Sequence, residues 1–209
     1  MKKRYLSILI LFFTPAMVFA DAQNKTLQTL HETYAKIENI EADFSQSVTF
    51  QGFDTSIDSR GKVYLKRGKM RWDYLLPTRQ QFFVEGDMLL HYNPEHQQVI
   101  QSVLGKQTGL PLDLFISIEK IETIFHLTPV QKNTLLLKPK ETGSQVKQMI
   151  VTFAPLPQLK GLFIQKIILH EENGNQSVFV FHHFRVNKAL SEQIFLFKIP
   201  EGVELIDLR

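Results

Sequence analysis

Residues 60–77 constrain this chain more than any other stretch. They hold two runs of period-two alternation joined by a short basic turn around Gly68. Val63 and Leu65 alternate with Lys62, Tyr64 and Lys66, and then Met70, Trp72 and Tyr74 alternate with Lys69, Arg71 and Asp73. A helix repeats every 3.6 residues, so a pair of strands, each with one apolar and one wet face, is what this pattern predicts. The apolar face carries the single tryptophan of the chain, and the turn carries Lys66, Arg67 and Lys69. No catalytic group stands out here, so the segment points to binding rather than to chemistry.

The same alternation runs through much of the chain. Phe44, Gln46, Val48 and Phe50 share one face until Gly52 breaks the run. Strands are predicted at 80–84, 88–92 and 97–103, with Glu85-Gly86-Asp87 and Asn93-Pro94 as the turns between them, and again at 134–137, 145–153, 162–170, 177–186 and 194–199. Leu27, Leu30, Tyr34 and Ile37 fall on one helical stripe within 24–37. After Gly109-Leu110-Pro111 the period becomes helical once more, and one or two short helices are predicted over 111–125. A mainly antiparallel sheet of some ten or eleven strands tends to curl, with helices at one side covering its inner face. Its apolar side chains then make either a filled core or a greasy cavity, and the pattern alone leaves both open.

The ends set the compartment. Lys2, Lys3 and Arg4 precede an apolar run from Leu6 to Phe13, and Val18-Phe19-Ala20 fits a small-residue cleavage site. Residues 1–20 therefore read as a secretory signal peptide, and 21–209 as a single soluble domain bound for the bacterial periplasm or for secretion. Three of the 24 Lys and Arg lie in that leader, so the remainder balances the 21 Asp and Glu, and a general nucleic-acid footprint loses its support. There is no cysteine, which removes thiolate metal sites, Cys nucleophiles and a lipid anchor at the mature N-terminus.

Chemistry is equally sparse. No Gly-x-Ser-x-Gly, His-Glu-x-x-His or phosphate loop occurs. His91 and His96 flank a turn, while His182 and His183 are adjacent on a strand and should face opposite sides, so no metal site is expected.

Several pieces, weak singly, are specific in their order and spacing. They are Ile40-Glu41-Ala42-Asp43-Phe44-Ser45-Gln46, the run from Gly61 to Tyr74, Val84-Glu85-Gly86-Asp87, Tyr92-Asn93-Pro94, and Phe197-Lys198-Ile199-Pro200-Glu201-Gly202-Val203. Together they resemble the LolA family of periplasmic lipoprotein carriers over nearly the whole chain after the leader. The resemblance implies an incomplete, half-open antiparallel β-barrel of about eleven strands closed by a helical lid. It implies a monomeric carrier without cofactor, metal or catalysis. Its partners would be lipoproteins, held by their acyl chains, an inner-membrane LolCDE-type ABC transporter and an outer-membrane LolB-type acceptor. Phe44, Met70, Trp72, Met88 and Leu90 would line the acyl-chain cavity, and Leu112, Leu114 and Phe115 would form the lid. Where the family often has Arg-Pro before its Trp-containing strand, and the Arg helps hold the lid, this chain has Lys66-Arg67, so either residue is a latch candidate. Ordinary core remains the competing reading for each apolar residue. A carrier of other lipids or glycolipids, or a lipid-sensing module, remains the competing function.

Overall fold

The computed structural model describes residues 15–104 and 111–209. Helix α1, Pro15–Ala35, leads into a meander of six strands: β1 Asn39–Thr49, β2 Ser56–Lys66, β3 Lys69–Leu76, β4 Gln80–Glu85, β5 Met88–Asn93 and β6 Gln98–Val103. Three short helical pieces follow, namely α2 Leu112–Ile116, a 3-10 turn Ile118–Lys120 and α3 Ile121–Ile124. A second meander returns through β7 Phe125–Gln131, β8 Thr134–Pro139, β9 Val146–Leu156, β10 Gly161–Glu171 and β11 Gln176–Val186. Finally β12, Glu204–Asp207, closes the chain. Most of the expected leader lies outside the described residues, and its expected end after Ala20 falls within α1.

All twelve strands belong to one sheet in the order β12-β6-β5-β4-β3-β2-β1-β11-β10-β9-β8-β7. The two meanders are stitched together where β1 pairs with β11, Phe44 standing opposite Phe181. The two end strands, β12 and β7, stay unpaired to each other, so the sheet curls without closing. This is the half-open, mainly β architecture expected from the sequence.

Alternation and pairing decide which side chains go inside. Directly opposed residues share a face, so Ile40, Leu65, Met70, Val84 and Leu89 form one inner row, and Ala42, Val63, Trp72 and Phe82 the next. The second meander adds Leu137, Met149, Val151, Ile167, Leu169, Phe179 and Phe181 to the same buried cluster. Helix α1 lies over this half, held to β10 by Thr33. The buried Thr33 hydroxyl donates to Thr29 O at 2.6 Å and accepts from Leu162 N at 3.1 Å.

Three elements differ from the sequence expectation. Residues 194–199 are not a strand. Ser191 Oγ accepts from Gln193 N and opens a 3-10 turn at Glu192–Phe195, after which the chain crosses the outer face as a strap. Phe197 of the strap packs on Phe83 and Tyr92, with ring centroids 4.8 and 5.2 Å apart. Arg71 Nη1 donates to Ile194 O at 2.9 Å. The strap ends in β12, which pairs parallel with β6, and no run of period two announces so short a strand. Strand β7 is also new. It lies at an edge and buries little beyond Phe125, and its Pro129 is tolerated because an edge strand has N–H groups to spare.

One glycine sets the curvature beside Trp72. The β2–β3 register shifts between Arg60 and Gly61, and a Cβ at Gly61 would stand 1.9 Å from Asp73 O and 2.6 Å from Phe44 Cε1. Only a hydrogen allows the Phe44 ring to lie against the strand. Gly61→Ala is therefore expected to cost about 2–3 kcal/mol through overpacking against backbone, read as a lowered urea midpoint. An unchanged midpoint would mean that the strand pair has slack here.

Candidate functional site

The inner face converges on Trp72, which β3 delivers with no solvent exposure. Its ring lies 4.6 Å from Phe44, 5.7 Å from both Phe179 and Phe181, and 5.9 Å from Phe115. Most of these contacts are edge-to-face, the geometry that aromatic quadrupoles favour. Met70 is buried in the adjoining row.

Leu112, Leu114 and Phe115 of α2 lie over this aromatic floor, each at most 2% exposed. Phe115 is wedged between the two meanders, its ring centroid 5.9 Å from Trp72 on one side and 5.1 and 6.2 Å from Phe181 and Phe163 on the other. Ile118 and Ile121 extend the plug. The helical pieces thus fill the concavity of the sheet, and Phe44, Met70 and Trp72 meet Leu112, Leu114 and Phe115 in one cluster.

Met88 and Leu90 do not join it. Met88 pairs with Glu85, and Leu90 with Phe83, on the outer face, whereas Leu89 between them is 1% exposed inside. The run Met88-Leu89-Leu90 is apolar throughout, so its phase is set by the turn after Glu85 and not by its composition. The aromatics Phe163, Phe179 and Phe181 were missed as site residues, although the alternation of Phe179 with Phe181 in the predicted strand signalled them.

The latch candidates separate. The Lys66 ammonium pairs with Glu192 of the outer strap and holds that carboxyl below its usual range, while Lys66 also borders a cleft at the helical pieces. Arg67 has no ion pair among the described residues. Both candidates border this cleft of about 180 Å³ with Tyr34, Phe115, Ile116 and Glu119, so the cleft does not choose between them, and only their ion pairing differs.

Polar groups mark the limits of the apolar interior. The Tyr34 hydroxyl is buried without a hydrogen-bond partner among the described residues, and burial pushes its pKa well up. Trp72 Nε1 likewise lacks an acceptor in bonding geometry, although Tyr74 is near. Tyr74 Oη instead donates to Gln46 Oε1 at 2.6 Å, and Gln46 Nε2 donates to Ser177 Oγ at 3.3 Å. Beside this chain a groove of about 380 Å³ opens between Ile57, Tyr74, Pro77 and Phe82.

At that rim His91 stacks on Phe82 at 4.2 Å, and burial lowers its pKa. The folded value lies below the unfolded value of about 6.5, so its contribution to stability is complete above that pH and is lost as pH falls through the folded value. His91→Gln is expected to flatten the fall in urea midpoint between about pH 7 and pH 5. An unchanged slope would assign that fall to other groups.

The adjacent histidines correct the sequence reading. Asp43 stands opposite His182 but Glu41 opposite Arg185, so β11 carries a bulge, and His183 takes a left-handed φ of 55°. The bulge brings both imidazoles to one side, 4.7 Å apart, with His183 Nδ1 2.9 Å from Asp43 Oδ2. The strand-alternation argument for placing them on opposite faces does not hold here.

Comparison with known proteins agrees with this geometry. The family model described as outer membrane lipoprotein carrier protein LolA matches residues 35–198. A relative from Histophilus somni named outer-membrane lipoprotein carrier protein is 27% identical over 211 positions, covering 99% of this chain and 98% of its own. One of the same name from Psychromonas ingrahamii is 28% identical over 206 positions, covering 98% and 97%. Among solved structures, a LolA superfamily protein from Nitrosomonas europaea shares the fold at a TM-score of 0.54 and 12% identity, over 83% of this chain and 97% of that one.

Proposed function

Because the chain belongs to the LolA family of outer membrane lipoprotein carrier proteins, we propose that it shelters lipoprotein acyl chains inside the curled sheet and carries them across the periplasm. The donor would be an inner-membrane LolCDE-type ABC transporter and the receiver an outer-membrane LolB-type acceptor, after loss of the leader 1–20. The family is one of carriers, and no helix among the described residues is long and apolar enough to cross a membrane.

One observation carries this reading: the concavity is filled by a broken helical segment rather than by strands. Its pieces run five, three and four residues, too short to be stable as isolated helices. Tertiary packing of Leu112, Leu114, Phe115, Ile118 and Ile121 holds them in place. Each buried CH₂ is worth about 0.8 kcal/mol, so an acyl chain cannot cross water unaided. If alkyl chains replace the plug's side chains against Trp72, Phe179 and Phe181, apolar contact is exchanged for apolar contact. Cargo is then kept from water without being gripped.

A buried donor fits the same picture. A buried polar group without a partner costs about 1–3 kcal/mol, and among the described residues Tyr34 Oη is such a group in the plugged form. The ester and amide carbonyls of an acylated N-terminus are acceptors of the kind it lacks. Lys66 and Arg67 both border the plug's cleft with Glu119, and Arg67, without an ion pair among the described residues, is the freer of the two to act as the latch.

Native mass spectrometry of the protein drawn gently from the periplasm tests this. A co-purified triacylated polypeptide is the expected result. Bound free lipid in its place would move the function to a general lipid carrier, and a chain that takes up neither would overturn both.

A further inference from the structure

We propose that Asp43, His182 and His183 form a binding site for a borderline divalent transition ion, Zn²⁺ or Cu²⁺, at the seam where β1 meets β11. A regular strand sends successive side chains to opposite faces, which would keep two adjacent histidines apart. The bulge in β11 opposite Glu41 and Asp43 defeats that rule, and His183 holds a left-handed backbone that a side chain larger than glycine seldom adopts. A strained residue persists where its surroundings fix it, and such residues gather at functional sites. Here the effect is convergence, since ligand atoms of all three residues lie within 4.8 Å of one another.

The separations suit a metal. Zn–N and Zn–O bonds of about 2.0–2.2 Å in a tetrahedron set neighbouring donors roughly 3.3–3.6 Å apart, and His183 Nδ1 stands 2.9 Å from Asp43 Oδ2, a hydrogen bond that an ion would replace with a small widening. His182 offers the third donor, a ring nitrogen within 4.8 Å of the other two ligand atoms. Two imidazoles and one carboxylate favour Zn²⁺ or Cu²⁺ over Mg²⁺ or Ca²⁺, which take oxygen donors.

The carboxylate is also prepared for the task. Its Oδ1 accepts from Lys62 Nζ at 2.6 Å, which fixes the group and leaves Oδ2 turned toward the histidines. Lys62 is shared with Glu41 at 3.3 Å, and Glu41 in turn pairs with Arg185, so the ammonium beside the site is itself balanced. Such outer partners orient ligands in built metal sites. Asp43 and His182 also line a groove of about 530 Å³ with Arg60, Leu75 and Leu76, so an ion there keeps coordination positions open to water or to a donor from outside. None of this involves the plug or the inner face, so the proposal stands independently of the carrier reading.

The test is calorimetric titration of the untagged full chain with ZnCl₂ and with CuCl₂ near neutral pH. One equivalent of each ion is expected with a dissociation constant in the micromolar range or tighter, roughly −8 kcal/mol at 1 μM. Bound Cu²⁺ should show electron-spin coupling to two imidazole nitrogens. His182→Asn should weaken binding about tenfold or more, as should Asp43→Asn. His183→Asn, which keeps a residue tolerant of the left-handed backbone, should do the same without altering the thermal midpoint of the metal-free protein. Absence of micromolar binding would overturn the site. So would a His182→Asn/His183→Asn double variant that binds as the parent does.

Discussion

Trp72→Ala is expected to lower stability by about 4 kcal/mol, near the upper end for truncating a buried aromatic. For a chain of this size that corresponds to roughly 8–16 °C in Tm. The side chain has no exposure and touches rings from β1, β11 and α2, so its loss leaves a void bordered by three separately positioned elements. No one of them can move in to fill the space without breaking its own pairing, and cavities that cannot collapse are the costly ones. Trp72→Phe should lose about half as much, because one ring still meets Phe44 and Phe181. The measurement is a urea or thermal transition followed by far-ultraviolet circular dichroism, since tryptophan fluorescence disappears with the residue. A shift of only a degree or two would show that the floor beneath the plug is loosely packed, contrary to the ring geometry.

Trp72 was legible from the sequence because three independent signals agree on it. It sits mid-strand, it is in phase with Met70, and it is flanked by Lys69, Arg71 and Asp73, which can only face outward. Leu90 had no such support. In Met88-Leu89-Leu90 every residue is apolar, and the pairing Val84 to Leu89 that settles the phase comes from the turn, not from hydropathy. The bulge at His183 leaves no trace in composition at all. It is a local addition to one strand of a pair, visible only once β1 and β11 are placed side by side. The parallel strand at 204–207 is a similar case, for its partner Gln98–Val103 lies about a hundred residues away and its own length is too short to show a period. What hydropathy encodes is which faces are buried. Register, bulges and the order of distant strands come from pairings that the chain makes only on folding.

Phe115→Glu separates a plug from a core. In the closed form the carboxylate would lie among Trp72, Phe163 and Phe181, where an unpaired charge costs several kcal/mol. A charge at Trp72 could escape only by unfolding the sheet. At Phe115 it can escape by release of the short helical pieces alone, and the loss is then capped by the free energy of that local opening. The expected result is a urea midpoint that falls much less than in Trp72→Ala, together with amide exchange across 112–124 accelerated about a hundredfold, the equivalent of about 3 kcal/mol. The Trp72 emission should shift to the red as water reaches it. Acylated cargo should no longer have to displace the plug, so loading should be faster and retention poorer. If Phe115→Glu instead lowers the global midpoint as far as Trp72→Ala, with no selective exchange in 112–124, these residues are fixed core. The carrier would then need another way to open its interior, and Arg67 would have nothing to latch.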